Sequence, residues 1–335
     1  MQLTELKAPY LIFLGSETDE TYAKTGAGVA HWSPDKCMGQ FHLEGGTVDL
    51  GLPEHSIESA ANAGAKTLLI GTAVIGGAIP ESWTQVLISA MDHGLDIVAG
   101  VHTRLNDIPD LRAAAERNGV QLVDVRVPPK NLPVGNGKKR SGKRLLTVGT
   151  DCALGKKYTA LAIERELIAQ GKKATFRASG QTGIMISGAG IPIDAVVADF
   201  VSGAAEVLSP DNEADHWDII EGQGSIFHPG YAAVSMGLLL GSQPDAFVVC
   251  HQAGRTHISG WPDFKVPTIH EVIERTIEIG KQTNPDIHCV GLSINTSKLS
   301  EHEAKDFLAS LENVFGLPAT DPIRFGVENI VRALK

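Results

Sequence analysis

At 335 residues the chain exceeds the size at which one hydrophobic core keeps growing, so two domains are expected. A composition of 43% hydrophobic and 20% charged residues is that of a globular protein, and a net charge of −10 argues against a general nucleic-acid binder. Cys37, Cys152, Cys250 and Cys289 form no CxxC pair, which counts against structural zinc and a secreted disulfide framework. No apolar run reaches the length of a membrane span and no basic leader is seen, so the cytoplasm is the expected address.

The first half alternates short apolar runs with helical patterns. "PYLIFLG", "KTLLIGTAV", "DIVAGV" and "VQLVDVRV" have the length and branched content of buried strands. "HSIESAANAG", "PESWTQVLISAMDHG" and "DIPDLRAAAERNG" each close on a glycine suited to a helix C-terminus. This rhythm predicts right-handed crossovers and a parallel, Rossmann-like sheet over residues 1–128. The alternation stops at "PPKNLPVGNGKKRSGKR", whose prolines, glycines and basic residues read as a solvated linker over 129–143.

A second α/β domain is expected over 144–335. Its strands are "RLLTVGT", "KATFRASG", "WDIIEGQG", "DAFVVCHQAG" and "HCVGLSINT". Its helices include "KKYTALAIERELIAQG" and a segment from Glu301 to Phe315, with Ser300 and Glu303 spaced as a capping box. Ligand sites on such a sheet belong at the strand carboxyl ends, where the polar clusters of this half fall.

The first cluster is the loop Gly149, Thr150, Asp151, Cys152, Ala153, Leu154, Gly155, Lys156, Lys157, Tyr158, Thr159. A glycine turn between strand and helix aims backbone N–H groups at one anion, with the helix N-terminus adding positive potential. The usual phosphate loop has four residues between its glycines and a Ser or Thr after GK, which holds magnesium. Here five intervene, and Lys157 stands where the hydroxyl belongs. Two lysines at a helix start call for an anionic partner, and loss of the hydroxyl puts magnesium in doubt, so no metal is expected.

Other clusters flank this loop. Glu221 leads into a turn with Gln223 and Gly224, and His251 and Arg255 follow a buried strand. Arg177, Ser179, Gln181 and Thr182 offer donors for a carboxylate or phosphate. Asp199, Ser202, Gly203 and Glu206 share one helix face, either a ligand wall or a close packing surface. His31, and His102 with Arg104, sit on stretches able to close over a crevice.

The form "GTDCALGKKYTA" resembles the phosphate loop of the dethiobiotin synthetase group. Together with "RASGQTG", "DFVSGAAEVLSP", "EGQGS", "DVRVPPKNLPVGNG" and "ATDPIRFG", it makes the whole chain similar to a bacterial and archaeal P-loop family long catalogued only as a domain of unknown function. The resemblance implies a Rossmann-like domain followed by a P-loop NTPase-like α/β domain. It also implies an activity described within that family, N-acetylation of D-glutamate by acetyl-CoA.

Under that implication the loop holds coenzyme A phosphates, and Arg177 and Arg255 clamp the acceptor carboxylates. The general base comes from His251, Glu221, Asp199 or Glu206. The partners are then small molecules, with no nucleic acid or membrane, and a homo-oligomer, taken as a dimer, is expected. Two rival readings are an ATP- and magnesium-dependent ligase or kinase, with Asp151 or Glu221 on the metal, and a nucleotide-binding regulatory switch.

Overall fold

The computed structural model describes residues 3–72, 79–101 and 103–334, and these form two compact units. One comprises Gln2–Pro129 with Gln181–Pro192, the other Lys130–Gly180 with Ile193–Lys335.

The first unit carries a five-stranded parallel sheet in the order Cys37–His42, Tyr10–Gly15, Thr67–Ile70, Asp96–Ala99, Leu122–Asp124. The three central strands are buried throughout, which is why they read in sequence as unbroken apolar runs. Leu11, Phe13, Leu68 and Ile97 pack with Leu87 and Met91 of helix Thr84–Asp92 and with Leu111 of helix Pro109–Asn118. Each such buried side chain is worth roughly 1.5–3 kcal/mol. Gly119 ends its helix at φ +66°, in the left-handed conformation that glycine adopts without a Cβ penalty.

Residues 181–192 belong to this unit although they interrupt the second half of the sequence. Helix Gln181–Ser187 receives a bond from Ser33 Oγ to Ile186 O (2.7 Å), and Ala189–Gly190 pairs antiparallel with Thr4–Glu5.

The second unit is built on six parallel strands in the order Ala319–Thr320, His288–Asn295, Ala246–Gln252, Lys143–Gly149, Trp217–Ile220, Ala174–Arg177. The strand that feeds the glycine loop is therefore central, and the strands ending near Glu221 and His251 are its two neighbours. Both halves of the capping box at Ser300 and Glu303 are formed, and Thr268 with Glu271 makes another.

The basic seam is not solvated at its carboxyl end, contrary to the reading from composition. Arg144 is fully buried and donates to the carbonyls of Arg140, Ser141, Ser209 and Pro210. Arg140 likewise donates to Ser209 O (2.7 Å) and Gly241 O (2.8 Å). These guanidiniums answer carbonyls that strands and helices leave unpaired.

The polar face of helix Val201–Leu208 is packing and not a ligand wall. A Cβ on Gly203 would stand 1.9 Å from Pro133 O, and Ser202 Oγ donates to Gly237 O (3.0 Å). Glu206, named as a possible base, is buried and accepts from the backbone N–H of Asn136 and of Gly137 (both 2.9 Å) and from Asn136 Nδ2 (2.8 Å). It holds the seam. Asp199 lies exposed on the turn Ala198–Phe200 that precedes this helix.

Candidate active site

The loop from Gly149 to Lys157 is shaped by Asp151. This carboxylate is wholly buried: Oδ1 accepts from Cys152 N–H (2.6 Å), and Oδ2 from Arg255 (2.7 Å) and Ser259 N–H (2.9 Å). Arg255 also donates to Cys152 O (2.8 Å), so it rivets the loop to the segment after the Ala246–Gln252 strand. The loop turns at Ala153 (φ +53°) and Gly155 (φ +102°), the latter opening helix Lys156–Ala169. That helix has no side-chain cap and no acid in its first turn, which leaves its N-terminal N–H groups for an anion.

Lys156 is buried and donates to Asp151 O (2.8 Å). Burial pushes its ammonium below the ordinary lysine range, and it does the same to Lys157, which the charge of Glu221 pulls back up. Thr159 does not replace the missing magnesium ligand. Its hydroxyl donates to Gly155 O (3.0 Å) and meets Ser293 Oγ (2.7 Å), facing the interior.

Glu221 ends the neighbouring strand in a buried position, and its Oε2 accepts from the N–H groups of Ser179 and Gly180, both at 3.0 Å. Burial raises its pKa to about 7, against the opposing pull of Lys157, of the two N–H donors and of Lys156. A carboxyl tuned to that range suits a general base at neutral pH. The next residue must be glycine, since a Cβ on Gly222 would fall 1.6 Å from Thr147 O and 3.2 Å from Lys156 Cδ. Gln223 Nε2 donates to Ser179 Oγ (2.8 Å), which itself donates to Glu221 O (2.6 Å); these bonds and Ser235 Oγ on Gln223 O (2.8 Å) fix the turn through Gly224.

His251 lies half-buried on the other side of the central strand, its Nδ1 paired with Thr150 Oγ1 (2.9 Å). Burial, then the charge of Arg255, holds its pKa below the usual histidine value. Neither arginine named as a carboxylate clamp is available as one. Arg255 is held by Asp151, and Arg177 binds the buried Asp218 through Nε (2.9 Å) and a terminal nitrogen (2.8 Å). Gln181 and Thr182 fall in the other unit, where Gln181 Oε1 accepts from Arg126. His31 sits in helix Lys24–Trp32 of that unit, and His102 lies outside the described residues.

A residue the sequence reading passed over, His228, faces the loop. Its Nε2 is 3.9 Å from Asp151 Oδ1, and one ligand-type atom each from Asp151, Cys152 and His228 lie within 4.8 Å of one another. Among the described residues this is the one such trio of metal-ligating types. Its only sequence signal was a histidine in "GSIFHPG" just past the Glu221 turn.

A cavity of about 190 Å³ opens against the start of the loop helix, lined by Leu154, Tyr158, Asn295, Asp321, Pro322 and Ile323. Among the described residues no helix is long and apolar enough to cross a membrane.

The family model described as a domain of unknown function, DUF1611_C P-loop domain, matches residues 133–331, and the DUF1611_N Rossmann-like domain model matches 41–128. A protein of Tritonibacter scottomollicae named D-glutamate N-acetyltransferase is 50% identical over 98% of this chain and 99% of its own. One of a Pseudoalteromonas species with the same name is 46% identical over 98% and 99%. The crystal structure of a DUF1611 family protein from Anabaena variabilis superimposes with a TM-score of 0.81 at 34% identity, covering 98% and 99% of the two chains.

Proposed function

The chain belongs to the DUF1611 family, and from that premise we propose that it transfers the acetyl group of acetyl-CoA to the amine of D-glutamate. The observation that carries this reading is identity of 46–50%, over nearly the full length, to two relatives bearing that name. The site's chemistry supports it. The loop offers lysines and backbone N–H groups to an anion but no hydroxyl placed for magnesium, which suits binding of coenzyme A phosphates better than phosphoryl transfer. The cavity beside the loop helix has room for a flat ring such as adenine.

Of the four candidate bases, Glu221 is the one both buried beside the loop lysines and poised near neutrality. In the proposed reaction Glu221 accepts a proton from the substrate ammonium. The freed amine attacks the thioester carbonyl, and the tetrahedral intermediate collapses with departure of the coenzyme A thiolate, which takes up a proton. Transfer is direct. Cys152 lies in the loop, but burial raises its pKa, which works against a thiolate nucleophile. Cytoplasmic location and a homodimer complete the reading.

The test is thiol release from acetyl-CoA against a panel of D- and L-amino acids, with and without magnesium. D-glutamate-dependent release without metal is expected. Acceptor-dependent ADP release from ATP, with none from acetyl-CoA, would overturn the proposal.

A further inference from the structure

The His228 side chain is fully buried, yet its Nε2 has no hydrogen-bond partner among the described residues. Such groups are rare because burying a donor without an acceptor is costly. Its other nitrogen is accounted for: Nδ1 lies 3.1 Å from Gly230 N–H. A backbone N–H can only donate, so Nδ1 is the acceptor and the proton of the neutral ring sits on Nε2. The ring stays neutral because burial, and the charge of Lys156, hold its pKa below the usual value against the pull of Asp151. Tyr231 stacks on it at 4.5 Å and Trp261 meets it edge-on at 4.6 Å, so the ring cannot turn the Nε2–H away.

This tautomer decides between three roles. A metal held by Asp151, Cys152 and His228 needs a nitrogen lone pair, but one lone pair is engaged by Gly230 and the other nitrogen bears hydrogen. A base for Cys152 needs the same missing lone pair. Asp151 Oδ1 lies beyond hydrogen-bond reach at 3.9 Å and already accepts from Cys152 N–H. What remains is an uncharged donor facing the loop whose lysine and helix N-terminus call for an anion.

We propose that His228 is a further binding residue of this site, donating its Nε2–H to an oxygen of the phosphate group held by the Gly149–Lys157 loop. Lys156 supplies charge, and His228 supplies direction without adding to the net charge of the pocket. The inference rests on the reading of the loop as a phosphate cradle given above.

The two are separated by calorimetric titration of the full chain with coenzyme A and with inorganic pyrophosphate, using wild type, Lys156→Ala, His228→Asn and His228→Gln. Asparagine keeps an acceptor for Gly230 N–H but lacks the distal donor, whereas glutamine places an N–H near the position of Nε2. The expected result is about ten-fold or greater weakening in His228→Asn, with glutamine restoring most of it. Unaltered affinity in Lys156→Ala sinks the phosphate reading itself. A weakened Lys156→Ala with unaltered His228→Asn sinks only the role of His228, as does rescue by asparagine and not glutamine.

Nitrogen NMR of labelled histidine in the wild-type protein guards against variants that do not fold. Nε2 should be protonated in the free protein, and its proton should move downfield when coenzyme A is added. A bare Nε2, or one that loses its proton to zinc added alone, overturns the assignment.

Discussion

Glu221→Gln separates a catalytic carboxylate from a structural one, because the two roles change different observables in opposite directions. Both N–H donors to this side chain, from Ser179 and Gly180, reach the same oxygen, so the single carbonyl oxygen of glutamine can keep them. Burial holds the glutamate at about 7, whereas in an unfolded chain it titrates at about 4.3. Since the folded value is the higher, the group favours folding most below about pH 4.3, and that contribution is lost as pH rises to 7. At pH 8 the ionised, buried carboxylate costs about 4 kcal/mol that glutamine does not.

Urea denaturation should therefore show the variant more stable than wild type at pH 8 by up to that amount, with the gap closing toward pH 4. Activity should move the other way. Loss of a general base lowers kcat by about a hundred-fold or more, and wild-type kcat/KM for acetyl-CoA should fall about ten-fold per pH unit below 7. A variant within ten-fold of wild-type activity, or one that keeps the acid limb, refutes the assignment of Glu221 as base.

Two further substitutions probe its surroundings. Lys157→Ala removes the largest influence that holds Glu221 down, so the acid limb of kcat/KM should move to higher pH; an unmoved limb means that Lys157 does not face the carboxylate. Glu206→Gln faces Asn136 Nδ2 with an amide in place of a carboxylate oxygen, and should cost about 1–3 kcal/mol in urea denaturation while kcat at saturating substrate is unchanged. A large fall in kcat would return Glu206 to the list of bases.

The two parallel sheets and the glycine loop were legible because their signals are local. A strand buried on both faces is an unbroken apolar run, and a glycine turn before a lysine-rich helix start has few other uses. The edge strand Cys37–His42 is half-buried and carries Gly39, so it has neither run nor alternation. Helix Lys24–Trp32 lacks a side-chain cap and is made largely of small residues. What sequence concealed above all was pairing. Arg255 meets Asp151 across 104 positions, and Arg177 meets Asp218 across 41, so cations that read as free clamps are already neutralised. The same blindness made Arg140 and Arg144 look solvated. It also hid His228, whose meaning lies in one backbone N–H and in an acceptor it does not have.

These pairings sharpen the electrostatics of the loop. With Arg177 and Arg255 matched by aspartates, the lysines of the loop and the ionisable Glu221 set the local charge. Glu221 is held near 7 by burial working against those lysines. A phosphate bound at the loop would cancel part of their field, and the carboxyl would then bind its proton more tightly. Linkage makes the effect reciprocal: whatever strengthens Glu221 as a base on ligand binding also makes the ligand bind better to the form in which Glu221 is protonated. In the proposed reaction the donor thus prepares the site for its acceptor. The base becomes more basic once coenzyme A phosphate is in place, so the acid limb of kcat belongs at higher pH than that of kcat/KM for acetyl-CoA, which reports the free enzyme. In that proposed reaction the doubled lysine would do more than hold an anion: it would tie the strength of the base to occupancy of the loop.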